Sequence, residues 1–151
     1  MQVQNILIVD DDEDDSEFFT MVVNQIDPDI KVRVASSKDE LFKHLRNIIP
    51  DLLFIDSFIQ NHSGVTSIGE IRNDINFRHM PVIMYTGASD MKNIVNAFNA
   101  GASAYIVKPH TIEEIREVLQ IVLNKNWNQL DIPKQYYIDK QFVNLLDKDA
   151  S

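Results

Sequence analysis

Four short apolar runs of this chain each end in side chains that are able to do chemistry. The residues directly after these runs are three carboxylates, a hydroxyl and an ammonium group: Asp10 and Asp11, Asp56, Thr86, and Lys108. Two carboxylates about 5 Å apart repel each other by roughly 3 kcal/mol at an effective dielectric constant near 20. The acidic block from Asp10 to Asp15 is therefore costly beside a core strand unless a cation neutralises it. The pattern predicts a site for a hard cation, and the plainer alternative is a charged loop that caps a helix.

The same residue types suit phosphoryl transfer. Mg²⁺ prefers hard oxygen ligands such as carboxylates, and it readily bridges to phosphate oxygens. A carboxylate held beside that cation can attack phosphorus and form an aspartyl phosphate. A lysine and a hydroxyl opposite it can stabilise the negative charge of the phosphoryl oxygens. This chemistry requires that the side chains from the four separate runs meet at one place.

The pattern of strands and helices predicts that they do meet. Unbroken runs such as Ile6–Val9 and Leu52–Ile55 are typical of strands buried on both faces of a parallel sheet. Apolar residues at helical spacing lie between the strands, and capping boxes that begin at Ser37 and Thr111 mark two helix starts. Five strands alternating with five helices predict a doubly wound parallel sheet with helices on both faces. Right-handed crossovers place the C-terminal ends of all strands at one edge, where such folds bind ligands.

Length and charge narrow the class of protein. The chain has 151 residues, enough for one domain with a sizeable core. Its formal net charge of −9 makes nucleic acid an unfavourable partner, and the lack of cysteine excludes disulfides and thiolate metal sites. No signal peptide and no membrane span is visible in the sequence. We therefore expect a cytoplasmic protein that binds neither nucleic acid nor membrane.

Four segments resemble the motifs of the response-regulator receiver domain. In chain order they are ILIVDDD, DLLFIDSFIQNHSG, PVIMYTGAS and GASAYIVKP, and the resemblance covers about residues 4–125. It implies a flavodoxin-like fold with the strand order 2-1-3-4-5. It also implies a phosphoacceptor switch of a two-component phosphorelay. Because no recognisable output domain follows, the chain resembles a stand-alone, chemotaxis-type regulator that signals by protein–protein contact with a downstream target.

The resemblance implies a role for each residue that would handle the phosphoryl group. Asp56 would be the phosphoacceptor, and a histidine kinase or a histidine phosphotransfer protein would be the donor. Thr86 and Lys108 would contact the phosphoryl group, and Thr86 would form a switch together with Tyr105. The protein would then be no enzyme beyond its own phosphoryl transfer and dephosphorylation. Spacing alone favours plain core packing for Tyr105, and only the resemblance to the family implies the switch role.

A magnesium site is also implied by the resemblance. Asp11 would bind Mg²⁺ directly and Asp10 mainly through water, and Asp56 and the backbone carbonyl of Phe58 would complete the protein ligands. Asp12–Asp15 would only be the solvated start of a helix, where negative charge is favourable. The expected oligomeric state is a monomer or a weak homodimer.

Two residues near Asp56 depart from the family pattern. The family usually has an apolar residue directly after the acceptor and a proline four positions after it. This chain has Ser57 and Gln60 at those positions. The departures concern the loop and leave the acceptor itself in place.

The C-terminal segment, residues 126–151, lies beyond the predicted receiver domain, residues 1–125. Pro133 marks a break, and apolar residues recur after it at the spacing i, i+4, i+7 and i+8: Ile138, Phe142, Leu145 and Leu146. This spacing predicts a short amphipathic helix that packs on the domain or on a partner.

A haloacid-dehalogenase-like phosphatase is an alternative from another functional class. That family places its nucleophile after the first strand in the pattern Asp-x-Asp, which Asp10 and Asp12 match. Against it, Asp14 stands where that family prefers Thr or Val, no acidic pair closes a strand after Lys108, and Asp56 would have no role. A third alternative is a receiver-like scaffold that never accepts phosphate. The complete set of acidic residues, threonine and lysine argues against that alternative.

Overall fold

A seven-stranded sheet forms the centre of the protein in a computed structural model that describes residues 2–129 and 132–145. The strands are β1 (Asn5–Val9), β2 (Lys31–Ala35), β3 (Leu52–Ile55), β4 (Phe58–Ile59), β5 (His62–Ser63), β6 (Val82–Thr86), β7 (Ala104–Val107), β8 (Gln135–Ile138) and β9 (Gln141–Asn144). The order in the sheet is β2-β1-β3-β6-β7-β8-β9, and β4 and β5 form a separate antiparallel pair. The first five strands of this order are parallel to one another.

Five helices connect the strands, and their N-terminal caps follow from the sequence. They are α1 (Glu13–Ile26), α2 (Lys38–Asn47), α3 (Gly64–Asn73), α4 (Met91–Ala100) and α5 (Ile112–Asn124). At each start, the side chain of the capping residue accepts the backbone N–H three residues later, which satisfies a donor that the helix leaves unpaired. The five capping residues are Asp12, Ser37, Ser63, Asp90 and Thr111.

The two faces of the sheet carry two separate hydrophobic cores. Alternate strand residues such as Leu7 and Leu53 pack with α2, α3 and α4 on one face. Their neighbours, such as Ile8 and Phe54, pack with α1 and α5 on the other face. The doubly wound fold and the predicted 2-1-3-4-5 order of the five parallel strands are therefore confirmed.

No helix in residues 2–129 or 132–145 is long and apolar enough to cross a membrane.

The segment after α5 is a β-hairpin, so the prediction of an amphipathic helix is wrong for the residues described. Strand β8 pairs with β7 in parallel, and β9 returns antiparallel to β8, so the sheet has seven strands where the sequence predicted five. Asp139 and Lys140 form the turn with φ values of 50° and 67°, as two-residue hairpin turns require. Helical spacing misled because Tyr136 and Tyr137 are buried in opposite cores, as in a strand covered on both faces. Leu146 lies outside the described residues.

Candidate functional site

Lys108 lies at the centre of the polar edge that the strand ends form. Its Nζ atom donates to Asp10 Oδ2 at 2.7 Å, to Asp15 Oδ2 at 2.7 Å and to Asp56 Oδ2 at 2.9 Å. The carboxylates of Asp10 and Asp56 follow β1 and β3, and Lys108 follows β7. The fold thus brings together side chains that are up to 98 residues apart in the sequence.

The electrostatic balance of this cluster is negative, with three carboxylates around one ammonium group. Burial opposes the charged form of Lys108, but the hydrogen bonds that it donates to the three carboxylates raise its pKa above the usual range. Burial raises the pKa of Asp10, whose side chain is 1% exposed, although its bond to Lys108 acts in the opposite direction. The side chain of Asp56 is 16% exposed, so the Asp56 carboxylate is more accessible than that of Asp10.

The hydroxyl of Ser57 connects Thr86 with the carboxylate of Asp56. Ser57 Oγ is 2.7 Å from Thr86 Oγ1, and it donates to Asp56 Oδ1 at 3.5 Å. Thr86 is 2% exposed, and its Oγ1 accepts the backbone N–H of Ala88 at 3.3 Å. A continuous series of hydrogen bonds therefore connects the Asp56 carboxylate with the loop after β6.

Tyr105 is joined to the same loop from the neighbouring strand. Its ring is fully buried, and its hydroxyl donates to the backbone carbonyl of Ala88 at 2.8 Å. Burial raises the pKa of the Tyr105 hydroxyl above its ordinary value, so this group stays protonated as a donor. Tyr136 of β8 is its partner in the sheet register. Tyr105 is thus both a core residue and a neighbour of the Thr86 loop.

The loop after β3 is shaped by close backbone contacts. The N–H of Gly64 donates to the carbonyl of Ser57 at 2.8 Å, and a Cβ atom at position 64 would collide with the carbonyl oxygen of Asp56. Glycine is therefore required where α3 begins against this loop. The β4–β5 turn brings the N–H of Gln60 within 3.0 Å of Asp11 Oδ2.

The residues predicted to bind Mg²⁺ lie near one another but have other partners. In the described part of the chain, no group of three or more acidic or histidine side chains is arranged to hold a metal ion. Asp10 and Asp56 share the ammonium of Lys108, while Asp11 accepts the N–H of Gln60. Their chemistry nevertheless fits a hard cation, because all are carboxylates and the cluster around Lys108 has excess negative charge.

Two site residues were missed by sequence reasoning. Asp15, interpreted as solvated, contacts Lys108 although its side chain is 39% exposed. No local signal distinguishes Asp15 from the other carboxylates of the acidic run, because the orientation of α1 decides which of them turns toward Lys108. In the sequence, Ser57 stands out only as a departure from the family pattern. Its contact with Thr86 requires the pairing of β3 with β6, which no local signal in the sequence gives.

Comparison with known proteins agrees with this geometry. Residues 6–120 match the model of the response regulator receiver domain. Response regulator ArlR of Staphylococcus saprophyticus is 30% identical over 145 residues, which are 96% of this chain and 60% of ArlR. Chemotaxis protein CheY1 of Helicobacter pylori is 32% identical over 75 residues, which are 50% of this chain and 60% of CheY1. The chain thus spans about 60% of the length of these curated relatives.

A solved structure shows the same fold. The Mn²⁺-bound form of response regulator Rcp1 superposes with a TM-score of 0.73 over 86% of this chain and 99% of that chain, at 16% identity. At this identity the likeness concerns the fold alone. The family match covers most of the sequence, including all four strand ends of the site. On this basis, the chain belongs to the response regulator receiver domain family.

Proposed function

We propose that this protein is a phosphoacceptor switch of a two-component phosphorelay and that Asp56 carries the phosphoryl group. The observation that supports this assignment most strongly is the position of the Asp56 carboxylate. The carboxylate lies at the C-terminal end of β3 and is partly exposed. The Lys108 ammonium is 2.9 Å away, and the hydroxyl of Ser57 connects the carboxylate with the hydroxyl of Thr86. The alternative nucleophile, Asp10, is almost fully buried, which disfavours the phosphatase hypothesis.

The proposed reaction is an in-line displacement at phosphorus. An oxygen of Asp56 attacks the phosphoryl group of a phosphohistidine, a P–O bond forms as the P–N bond breaks, and the imidazole leaves with the electron pair and takes up a proton. Lys108 bonds Asp56 directly and Thr86 is connected to it through Ser57, so this ammonium and this hydroxyl would contact the phosphoryl oxygens. Such preorganised donors stabilise the transition state where its negative charge develops.

Mg²⁺ is the metal that we assign to this site. Asp10, Asp11, Asp56 and the carbonyl of Phe58 would hold it, and when bound it would neutralise charge on the phosphoryl oxygens. Asp11 could keep the N–H of Gln60 on Oδ2 and offer Oδ1 to the cation, because a carboxylate has two acceptor oxygens. The Mn²⁺-bound form of Rcp1, which has the same fold, supports a divalent cation in such a protein.

The proposal extends to partners. The phosphoryl donor is a histidine kinase or a histidine phosphotransfer protein, and the output is contact with a downstream protein. The net charge of −9 disfavours direct contact with nucleic acid. We further propose that the chain works in the cytoplasm as a monomer or weak homodimer, and that its only reactions are its own phosphoryl transfer and dephosphorylation.

Incubation with acetyl phosphate and Mg²⁺, followed by intact mass measurement, tests the proposal. We expect one phosphoryl group on the wild-type protein and none on Asp56→Asn. The matched variant Asp14→Asn removes the same charge from an exposed position in α1 and should be phosphorylated normally. A phosphoryl group that persists in Asp56→Asn, or continuous turnover that is lost only in Asp10→Asn, would favour the phosphatase instead.

A further inference from the structure

The hydroxyl of Ser57 lies between the proposed acceptor and the residue that would contact the phosphoryl group. We infer that Ser57 is a positioning residue, which holds the Thr86 hydroxyl in place before phosphorylation and competes with the phosphoryl group for it. The inference rests on the proposed function of Asp56. It is carried by the 2.7 Å contact between Ser57 Oγ and Thr86 Oγ1 and by the near burial of Thr86.

Each hydroxyl has a single hydrogen, which links the directions of the two hydrogen bonds of Ser57. When Ser57 directs its one hydrogen toward Asp56 Oδ1 at 3.5 Å, the hydrogen of the 2.7 Å contact comes from Thr86. Thr86 Oγ1 in turn accepts the N–H of Ala88. In this arrangement the single donor hydrogen of Thr86 is directed to Ser57 and is not available for another acceptor.

A phosphoryl group on Asp56 would need that same hydrogen. Hydrogen bonds to ionised acceptors are roughly twice as strong as those between neutral groups, so the phosphoryl oxygen should win the competition. The loss of the contact with Ser57 nevertheless reduces the free energy gained when Thr86 bonds the phosphoryl oxygen. If Ser57 lacked its hydroxyl, the hydrogen of Thr86 would be left without this acceptor in the unphosphorylated protein, and such a buried donor is costly. Removal of the hydroxyl should therefore favour the phosphorylated arrangement.

The hydrogen bonds that continue from Thr86 to Ala88 and Tyr105 allow the effect of Ser57 to be observed at other residues. The N–H of Ala88 bonds Thr86, and the carbonyl of Ala88 accepts the hydroxyl of Tyr105 at 2.8 Å. A change in the Thr86 hydroxyl should therefore reach the amide of Ala88 and the ring of Tyr105.

The test measures the affinity for beryllofluoride, a phosphoryl mimic, at saturating Mg²⁺ by calorimetry. We expect Ser57→Ala to bind it about three- to tenfold more tightly than the wild type, because one neutral hydrogen bond no longer competes. Ser57→Met, which introduces the apolar type common in the family, should change the affinity in the same direction and serves if the alanine variant folds poorly. In the metal-free proteins, the amide signal of Ala88 should shift in both variants.

Two controls separate positioning from loop stability. Ser63→Ala removes a hydroxyl that only caps α3 in the same loop, and it should leave the affinity unchanged. In a Thr86→Ala background, Ser57→Ala should have no further effect, because the competing hydroxyl is already absent. An unchanged or weaker affinity in Ser57→Ala, or an equal effect without Thr86, would overturn the inference alone. If the wild type binds no mimic and accepts no phosphoryl group, the proposed function fails as well.

Discussion

The side chain of Lys108 is shared by more carboxylates than one ammonium group can neutralise. Asp10, Asp15 and Asp56 each lie within 2.9 Å of its Nζ atom. Two of these carboxylates are largely buried, where repulsion between like charges is only weakly screened. We therefore expect this cluster, in the absence of a cation, to be less stable than an arrangement with one negative charge fewer.

We predict that Asp10→Asn stabilises the metal-free protein. The amide keeps the oxygen that accepts the N–H of Asp12, and it removes a buried charge that repels Asp56. The stability gained from reduced repulsion should exceed the stability lost with one bond to Lys108, because two carboxylates still bond that ammonium group. A gain of about 1 kcal/mol would raise the melting temperature by about 2–4 °C for a chain of this size.

Thermal unfolding in a buffer with a chelator measures this effect. Asp14→Asn serves as the control, since it removes an equal charge from the exposed start of α1. The same two variants titrated with Mg²⁺ should show weaker binding only for Asp10→Asn. A melting temperature of Asp10→Asn at or below that of the wild type would show that the bond to Lys108 outweighs the repulsion.

The residues at the strand ends could be predicted because each follows a core strand directly. Asp10, Asp56, Thr86 and Lys108 need only the rule that parallel strands end at the same edge. Asp15 reaches the cluster from a helix, and the sequence alone does not reveal how far that helix turns its first carboxylates inward. The hydrogen-bond partners of the strand-end residues depend on distances of a few tenths of an ångström, which spacing in the sequence does not contain.

At the level of elements, the unbroken apolar runs identify the central strands, but the sequence misidentifies the hairpin. The segments β1, β3, β6 and β7 are buried on both faces, so nearly all of their residues are apolar. The hairpin strands are only four residues long, and their Asp139–Lys140 turn lacks the glycine that usually marks such turns. Apolar residues spaced along both strands then imitate a helical period.

The hairpin is joined to both cores. Tyr136 packs in the core that contains Tyr105, and Tyr137 packs on the opposite face, with its ring centroid 5.2 Å from that of Phe142. The N–H of Leu145 donates to the carbonyl of Lys134 at 2.9 Å. Strand β8 also pairs with the edge of β7, the strand that carries Tyr105. The hairpin should therefore contribute to the stability of the whole sheet.

We predict that Tyr136→Ala destabilises the protein by about 3 kcal/mol or more. The side chain is 2% exposed, and truncation of a buried aromatic residue leaves a cavity in addition to the lost burial. Urea unfolding measures the loss, and hydrogen exchange should show faster opening of β7. The control is Gln141→Ala, at an exposed position of β9, which should change the free energy of unfolding little. Equal stability of the two variants would mean that the hairpin does not pack on the sheet in solution.

At the scale of the whole molecule, the charge is unevenly distributed. The formal net charge is −9, and six consecutive acidic residues, from Asp10 to Asp15, lie at the edge where the strands end. Any salt screens the general repulsion between these charges. A divalent cation at a specific site would add stability that screening does not provide, because it binds the folded chain more strongly than the unfolded one.

We predict that millimolar Mg²⁺ raises the melting temperature of the wild type more than NaCl at the same ionic strength. A cation at about 100 times its dissociation constant stabilises the folded state by roughly 2.7 kcal/mol. That corresponds to a rise of about 5–10 °C for a protein of this size. Differential scanning calorimetry of the wild type and Asp11→Asn in the two salts separates specific Mg²⁺ binding from screening by ionic strength.

Asp11 is the informative residue for this comparison because it does not contact Lys108. Its carboxylate accepts the N–H of Gln60, so its replacement leaves the bonds around Lys108 intact while it removes one proposed ligand. Screening by NaCl should raise the melting temperature of both proteins to a similar extent. The additional effect of Mg²⁺ should be largely lost in Asp11→Asn. If Mg²⁺ and NaCl act equally on the wild type, the acidic edge responds to ionic strength alone, and the shared cation site is wrong.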